Sequence, residues 1–394
     1  MHHTHAPLAL PFELIDLVAD LIDDRSDLLS MALTCQSLNK HLIPSVLDYR
    51  EIRAPFEGPY LWNHLAKNTH LARRVRTLRV VTEGYTPKLP KGIEEGGAIH
   101  EDGQHEEVFL RATFCTSQLV TFEWSDQRVR GLSFNRVSYD QLWDILVVSC
   151  PRLRNLDVCD NVNVLSEDSL VGRSGRLSAV NTLWYCKYTI SFCGIRPLWR
   201  LSPAFVTNVV AHNPSLRCLD LIVPSLEEHL SPLGDEFGEI LLPSLTSFSL
   251  YCFTFASPTT LSRFLRLNST LESVALDSPY SLQSLAKGDL PNLHHFWSKD
   301  AQWTSVCLAM PPIWELHCVF DGLEDREVLN AFNSVSSTLK FTYIYWTGYR
   351  VHDIENPFPR FGRDVSNALC ETLRAIHIEY RGNLNNGYWA SRRR

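Results

Sequence analysis

The nine residues from Leu153 to Asn161, LRNLDVCDN, carry aliphatic side chains at the first, fourth and sixth positions and an asparagine at the ninth. In an extended chain successive side chains point to opposite faces, so positions four and six share one face while five and seven share the other. Position one closes the turn into the strand. The phrase returns as Val75-x-x-Leu78-x-Val80 and Leu119-x-x-Phe122-x-Trp124, and again from Leu216, Leu245, Leu271, Leu293, Ile313 and Leu373. Weaker copies stand at Val180-x-x-Leu183 and from Leu339 to Tyr345. Copies of one short phrase predict copies of one short strand, each turning two residues inward.

Helix candidates with their own start signals precede these strands: Tyr60 to Leu65, Ser138 to Val148, Ser202-Pro203 to Ala211, Ser257-Pro258 to Arg266, and Pro359 to Leu369. One helix and one strand cannot bury both of their apolar faces alone, so such units stack. The phrase and the stacking are those of a leucine-rich repeat, with starts spaced from about 20 to about 44 residues apart. The expected fold is therefore α/β: an irregular solenoid with a parallel sheet on its concave side. A doubly wound α/β domain alternates helices and strands too, but it predicts a glycine-rich phosphate turn after an early strand. Neither GxGxxG nor GxxxxGK occurs.

Ahead of the repeats, LPFELIDLVADLIDDRSDLLSMALTCQSLNKHLIPSVL spans Leu10 to Leu47. A first helix is expected from Pro11, a second capped by Asp24 to Ser26, and a short third from Ser37, with Pro44 breaking the pattern. On the first helix Glu13, Asp16, Asp20 and Asp23 gather on one side. The apolar residues between them cover roughly 220°, about twice what a helix packing one way needs. Three short helices are too small for a large core of their own, so part of that arc is expected to meet another surface. The repeat body offers one such neighbour and a partner protein another.

Leu10-Pro11-x-Glu13-Leu14, the spaced Leu17, Val18 and Leu21, then Leu28-Leu29-x-x-Ala32-Leu33-x-Cys35 and Pro44 resemble the F-box. The whole chain is similar to the F-box proteins with irregular leucine-rich repeats that abound in mushroom-forming fungi. One departure is Ser37-Leu38, where many F-boxes carry a tryptophan after the cysteine. The resemblance implies docking on a Skp-type adaptor, and through it on a cullin ubiquitin ligase. The adaptor contacts it implies are Leu10, Pro11, Leu14, Ile15, Leu17, Val18, Leu21, Leu28, Leu29, Leu33, Leu38 and Pro44. An ordinary helical cap on a repeat scaffold with no ligase connection is the alternative.

The organisation expected is a flexible N-terminus (1–9), the helical module (10–48), a linker helix with the first repeat (49–82), an acidic insertion (83–107), the solenoid (108–382) and a tail (383–394). The insertion holds seven acidic residues against two lysines, with five glycines and two prolines, and is expected to be flexible. Val223 to Gly238 and Thr347 to Pro359 read as further loops. The tail ends in Arg392-Arg393-Arg394, a run more often solvated than functional.

With 37 basic against 44 acidic residues the formal charge is −7, which gives no general attraction to nucleic acid or an anionic membrane. The N-terminal segment lacks the charge pattern of a signal peptide, and no apolar run reaches the length of a spanning helix. Eleven cysteines, none in a CxxC or CxxH pair, predict free thiols in a reducing compartment, cytoplasmic or nuclear. GxSxG, HExxH and kinase phrases are absent, and His294 and His295 are expected on opposite faces of a strand, wrong for one metal. The chain reads as a non-enzyme without metal or cofactor.

The surface left for a target protein is the concave face, at positions five and seven of the phrase. It offers Asp157, Asp220, Tyr251, Asp277, Trp297, Lys299, His317, His377 and Glu379. Aromatic anchors amid charges suit an interface centre. The identity of the target is not written in the sequence.

Overall fold

A leucine that turns back on itself opens most of the strands. The backbone N–H of Leu119 donates to Thr116 O at 3.0 Å, Leu153 to Cys150 O at 3.0 Å, Leu216 to Asn213 O at 3.0 Å and Leu271 to Asn268 O at 3.2 Å. The next N–H groups then find a carbonyl of the preceding repeat. Arg154 and Asn155 both donate to Val120 O, Glu272 and Ser273 to Thr246 O, and Trp314 and Glu315 to His294 O. Each turn thus delivers the chain in parallel register with the strand before it.

The computed structural model describes residues 11–56, 58–81, 88, 90, 93, 104–125, 136–161, 183, 185–191, 210–222, 233–251, 255–257, 259–277, 282, 285–298, 302–320, 325–346 and 373–380. The chain divides into two compact units, Met1–Leu165 and Ser166–Arg394. In the first, β1 (Glu51–Pro55), β2 (Thr77–Val81), β3 (Thr121–Ser125) and β4 (Asn155–Asn161) pair in chain order, all parallel. In the second, the strands are β5 (Tyr185–Ser191), β6 (Cys218–Ile222), β7 (Ser247–Tyr251), β8 (Ser273–Asp277), β9 (His295–Ser298), β10 (Glu315–Phe320), β11 (Phe341–Trp346) and β12 (Ala375–Tyr380). They too pair in chain order and parallel. A doubly wound sheet reverses its strand order at a switch point. Neither unit contains such a reversal.

Positions four and six face inward in the repeats whose side chains are described. Leu78 and Val80, Phe122 and Trp124, Leu156 and Val158, Leu219 and Leu221, Phe248 and Leu250, and Val274 and Leu276 are all buried. Helices cover this side: Phe109 of the helix Gln104–Cys115 meets Trp124 and Trp62, and Phe264 of the helix Thr260–Leu267 meets Phe248 and Phe237. Buried polar groups are tied between neighbouring repeats. Asn268, 1% exposed, accepts from Leu242 N at 2.7 Å and donates to Ile240 O at 3.0 Å and Phe264 O at 2.8 Å. Asn268→Ala strands two backbone groups in the core and is expected to cost about 2 kcal/mol, read as a shift of the urea midpoint.

Several expectations are corrected. An unforeseen first strand, β1, has Tyr49-x-x-Ile52-x-Ala54 as its phrase, and Tyr49, Ile52 and Ala54 are buried. The weak copy at Val180 begins three residues later, because Cys186 pairs in register with Leu219 and Leu183 is therefore position one. Pro44 does not stop its helix; the chain passes through a π-turn, Ile43–Leu47, whose wider ring accommodates a residue without an N–H. The loop expected at Val223 to Gly238 ends in a 3₁₀ turn, Asp235–Glu239, that buries Phe237 against Phe264 at 4.6 Å. The insertion is not wholly flexible: Lys88 forms an antiparallel bridge on Arg53 along the outer edge of β1, and Gln104 to Glu107 already belong to a helix. Such an edge bridge blunts pairing with other chains.

His294 precedes β9, so it and His295 do not oppose each other across a strand; both rings flank Trp314, at 5.5 and 5.3 Å. No helix among the described residues is long and apolar enough to cross a membrane. The expected N-terminal segment 1–9, the helix from Pro359, the stretch from Thr347, the tail and most of the helix from Ser202 lie outside the described residues.

Candidate docking surface

Three helices and a single further turn, Asp48–Arg50, precede β1. Helix α1 (Phe12–Leu21) starts after Pro11, whose carbonyl accepts from Leu14 N at 3.0 Å. Helix α2 (Arg25–Ala32) is capped by Asp24, whose carboxylate accepts from Ser26 N at 2.6 Å. Helix α3 (Gln36–Leu42) runs through the π-turn into β1. Ile15, Ala19, Leu28, Ala32, Leu42, Val46 and Leu47 form their shared core, with Ile22, Met31, Leu38 and Ile43 packed at its margin.

Asp16, Asp20 and Asp23 face the repeats, where arginines receive them, while Glu13 is exposed. Asp16 pairs with Arg74 at 2.8 Å and with His41 at 2.9 Å. Asp23 takes two hydrogen bonds from Arg152, at 2.9 and 3.0 Å, and one from Arg76 at 3.4 Å. Arg76, 3% exposed, also donates to Asp20 O at 3.0 Å and Arg73 O at 2.8 Å. Arg50, 2% exposed, donates to Ala19 O and to Arg74 O. Burial pulls the Arg50 guanidinium down to about 10, so it stays charged at neutral pH. At Asp16 burial opposes ionisation, but the bonds from Arg74 and His41 prevail and hold the carboxyl below its ordinary value.

With one face on the core and one on the arginines, the remaining face of α1 is apolar and in water. Leu14, Leu17, Val18 and Leu21 recur at helical spacing and are 46%, 62%, 45% and 81% exposed. Phe12, beside His41, is exposed as well, and Leu29 and Leu33 at α2 add 44% and 65%. The 220° arc is therefore divided: Ile15, Ala19 and Ile22 turn inward and the other stripe outward. Among the contacts implied by the resemblance, Ile15 and Leu28 must be corrected, since both are spent on the module's own core. Leu38 is half-buried at the margin of that core, Pro11 and Pro44 are exposed, and Leu10 lies outside the described residues.

Outward strand positions form a further surface in each unit, and the two differ. In the first, Arg53, Arg79, Glu123 and Asp157 stand in one row. Arg79 bridges Glu51 at 3.5 Å and Glu123 at 3.0 Å, and Lys88 pairs with Glu51. In the second, Trp297, His317, Tyr343 and His377 stand in one row. His317 stacks on Tyr343 at 4.2 Å, Tyr343 lies 5.7 Å from His377, and Tyr251 lies 5.4 Å from Trp297. Asp277 is half-exposed, in register with Tyr251. Asp220 is a correction: at 9% exposure, in register beside Lys187, it offers little surface. Lys299 and the Glu379 side chain lie outside the described residues.

Three residues of this face escaped the sequence reading. Glu315 accepts from His317 at 2.8 Å and from His295 at 3.0 Å, and Tyr343 completes the row. Position three of the phrase, which shares the outward face, is the signal that would have found Glu315 and His295. Neither known family models nor curated proteins match this chain. The two surfaces must therefore be interpreted from their own chemistry.

Among the described residues no group of three His, Cys, Asp or Glu side chains is disposed to hold a metal ion. Burial pushes the Cys150 thiol up to about 12, and Cys307 and Cys318 are likewise pushed upward. These thiols pack; none is poised as a thiolate.

Proposed function

We propose that this chain is the substrate-recognition subunit of a Skp–cullin–F-box-type ubiquitin ligase. Helices α1 and α2 dock the adaptor, and the outward sheet face captures a protein target. The observation that carries this reading is the orientation of α1: Asp16, Asp20 and, just past its end, Asp23 are seated on Arg74, Arg76 and Arg152, and its leucine stripe faces water. A helix serving only to cap the repeats gains most by the opposite arrangement, with leucines on the first repeat and carboxylates in solvent. Exposed apolar stripes of this kind mark interaction sites. The part played by the chain is positioning, since holding two partners raises their concentration near each other. It performs no chemistry of its own.

Coexpression with a Skp-type adaptor tests the reading. A stoichiometric complex that survives gel filtration is expected. Failure of the full-length chain to retain the adaptor leaves the repeat scaffold without a ligase connection as the better account.

A further inference from the structure

The outward face of β6 to β12 differs in charge from that of β1 to β4. In β1 to β4, Glu51, Arg79, Glu123 and Lys88 neutralise one another. Strands β6 to β12 contain no lysine or arginine, while Asp277 and Glu315 stand half-exposed at their outward positions. Beside these carboxylates runs the strip of rings from Trp297 through His317 and Tyr343. A face that is both anionic and aromatic is complementary to a cation with a flat or polarising surface.

We propose that this face binds an arginine-bearing segment of a protein partner, with Glu315 receiving the guanidinium and the Trp297 to Tyr343 strip supporting it. A carboxylate only accepts, so His317 and His295 both donate to Glu315, one to each oxygen. Each oxygen keeps a lone pair, which is what the arginine fork requires. Burial disfavours the Glu315 charge, yet the two histidines outweigh it and hold the carboxyl below its ordinary value, so it is anionic at neutral pH. The molecule already uses this chemistry nearby: the Lys340 ammonium lies 4.9 Å from the centre of the Trp314 ring. Guanidinium groups favour such ring faces more often than ammonium groups do. The proposal deepens the target half of the function given above and needs no ligase.

Fluorescence anisotropy of the full chain with three labelled peptides tests it: arginine alternating with glycine, and the same peptide carrying lysine or glutamate. The arginine peptide is expected to bind best and the glutamate peptide not to bind. Glu315→Gln and Trp297→Ala should each weaken arginine-peptide binding about tenfold. Trp297→Phe, which keeps a ring, should bind within about threefold of the unaltered chain, and Glu123→Gln, on the self-neutralised face, should change nothing. Equal binding of the glutamate peptide, no arginine-peptide binding, or affinities indifferent to Glu315→Gln and Trp297→Ala would overturn it. Adaptor retention by the same preparations is a separate readout, so loss of either activity is told apart from loss of the other.

Discussion

Arg76→Ala is expected to release α1 from the repeats at a cost of about 3 kcal/mol. The guanidinium is buried and serves the Asp20 and Arg73 carbonyls and the carboxylates of Asp20 and Asp23 together. Its removal leaves two carbonyls short of a donor and opens a hole where a large side chain stood. The carboxylates themselves are half-exposed and fall back on water, which keeps the cost at the low end for a broken buried pair. Native-state amide hydrogen exchange reads the effect. Amides of α1 should exchange about 100-fold faster in Arg76→Ala, and within about twofold of the unaltered chain in the exposed neighbour Arg73→Ala. Equal exchange in both variants would mean that the acidic stripe does not anchor the helix.

Leu14→Asp combined with Leu17→Asp should reduce adaptor affinity by more than about 100-fold while leaving stability within about 0.5 kcal/mol. Both leucines already face water, so folding buries little of them. Leu14 lies in the first turn of α1, where a carboxylate is favoured by the helix dipole. Ile15→Asp, one residue away, places a charge in the core beside Leu28 and Leu42 and should unfold the module instead. Melting curves for all three chains separate an outward stripe from an inward one. A large loss of stability in the Leu14 and Leu17 variant would return those residues to the core.

What could be read in advance follows from the range over which each force acts. Alternation along a strand is local, so the inward residues of the phrase, Leu156 and Val158 or Leu219 and Leu221, were visible in nine letters. β1 was not, because Tyr49, Ile52 and Ala54 fill the same positions with a ring and a methyl in place of leucines. The division of the α1 arc was invisible for another reason. Asp23 meets Arg152 across 129 residues and Asp20 meets Arg76 across 56, and no window along the chain pairs them. Helical spacing gathers the acids on one side of α1, but what that side meets is set only by arginines far along the chain. Glu315 was passed over because its partners, His295 and His317, stand partly on a neighbouring strand, and only the register of β9 with β10 joins them.

Isothermal titration calorimetry of the full-length chain with a purified Skp-type adaptor, at two temperatures, addresses the docking surface most directly. Burial of the Leu14, Leu17, Val18 and Leu21 stripe predicts a one-to-one complex with a negative heat-capacity change. Absence of binding at both temperatures, or binding that is unaltered in the Leu14→Asp and Leu17→Asp chain, would contradict it.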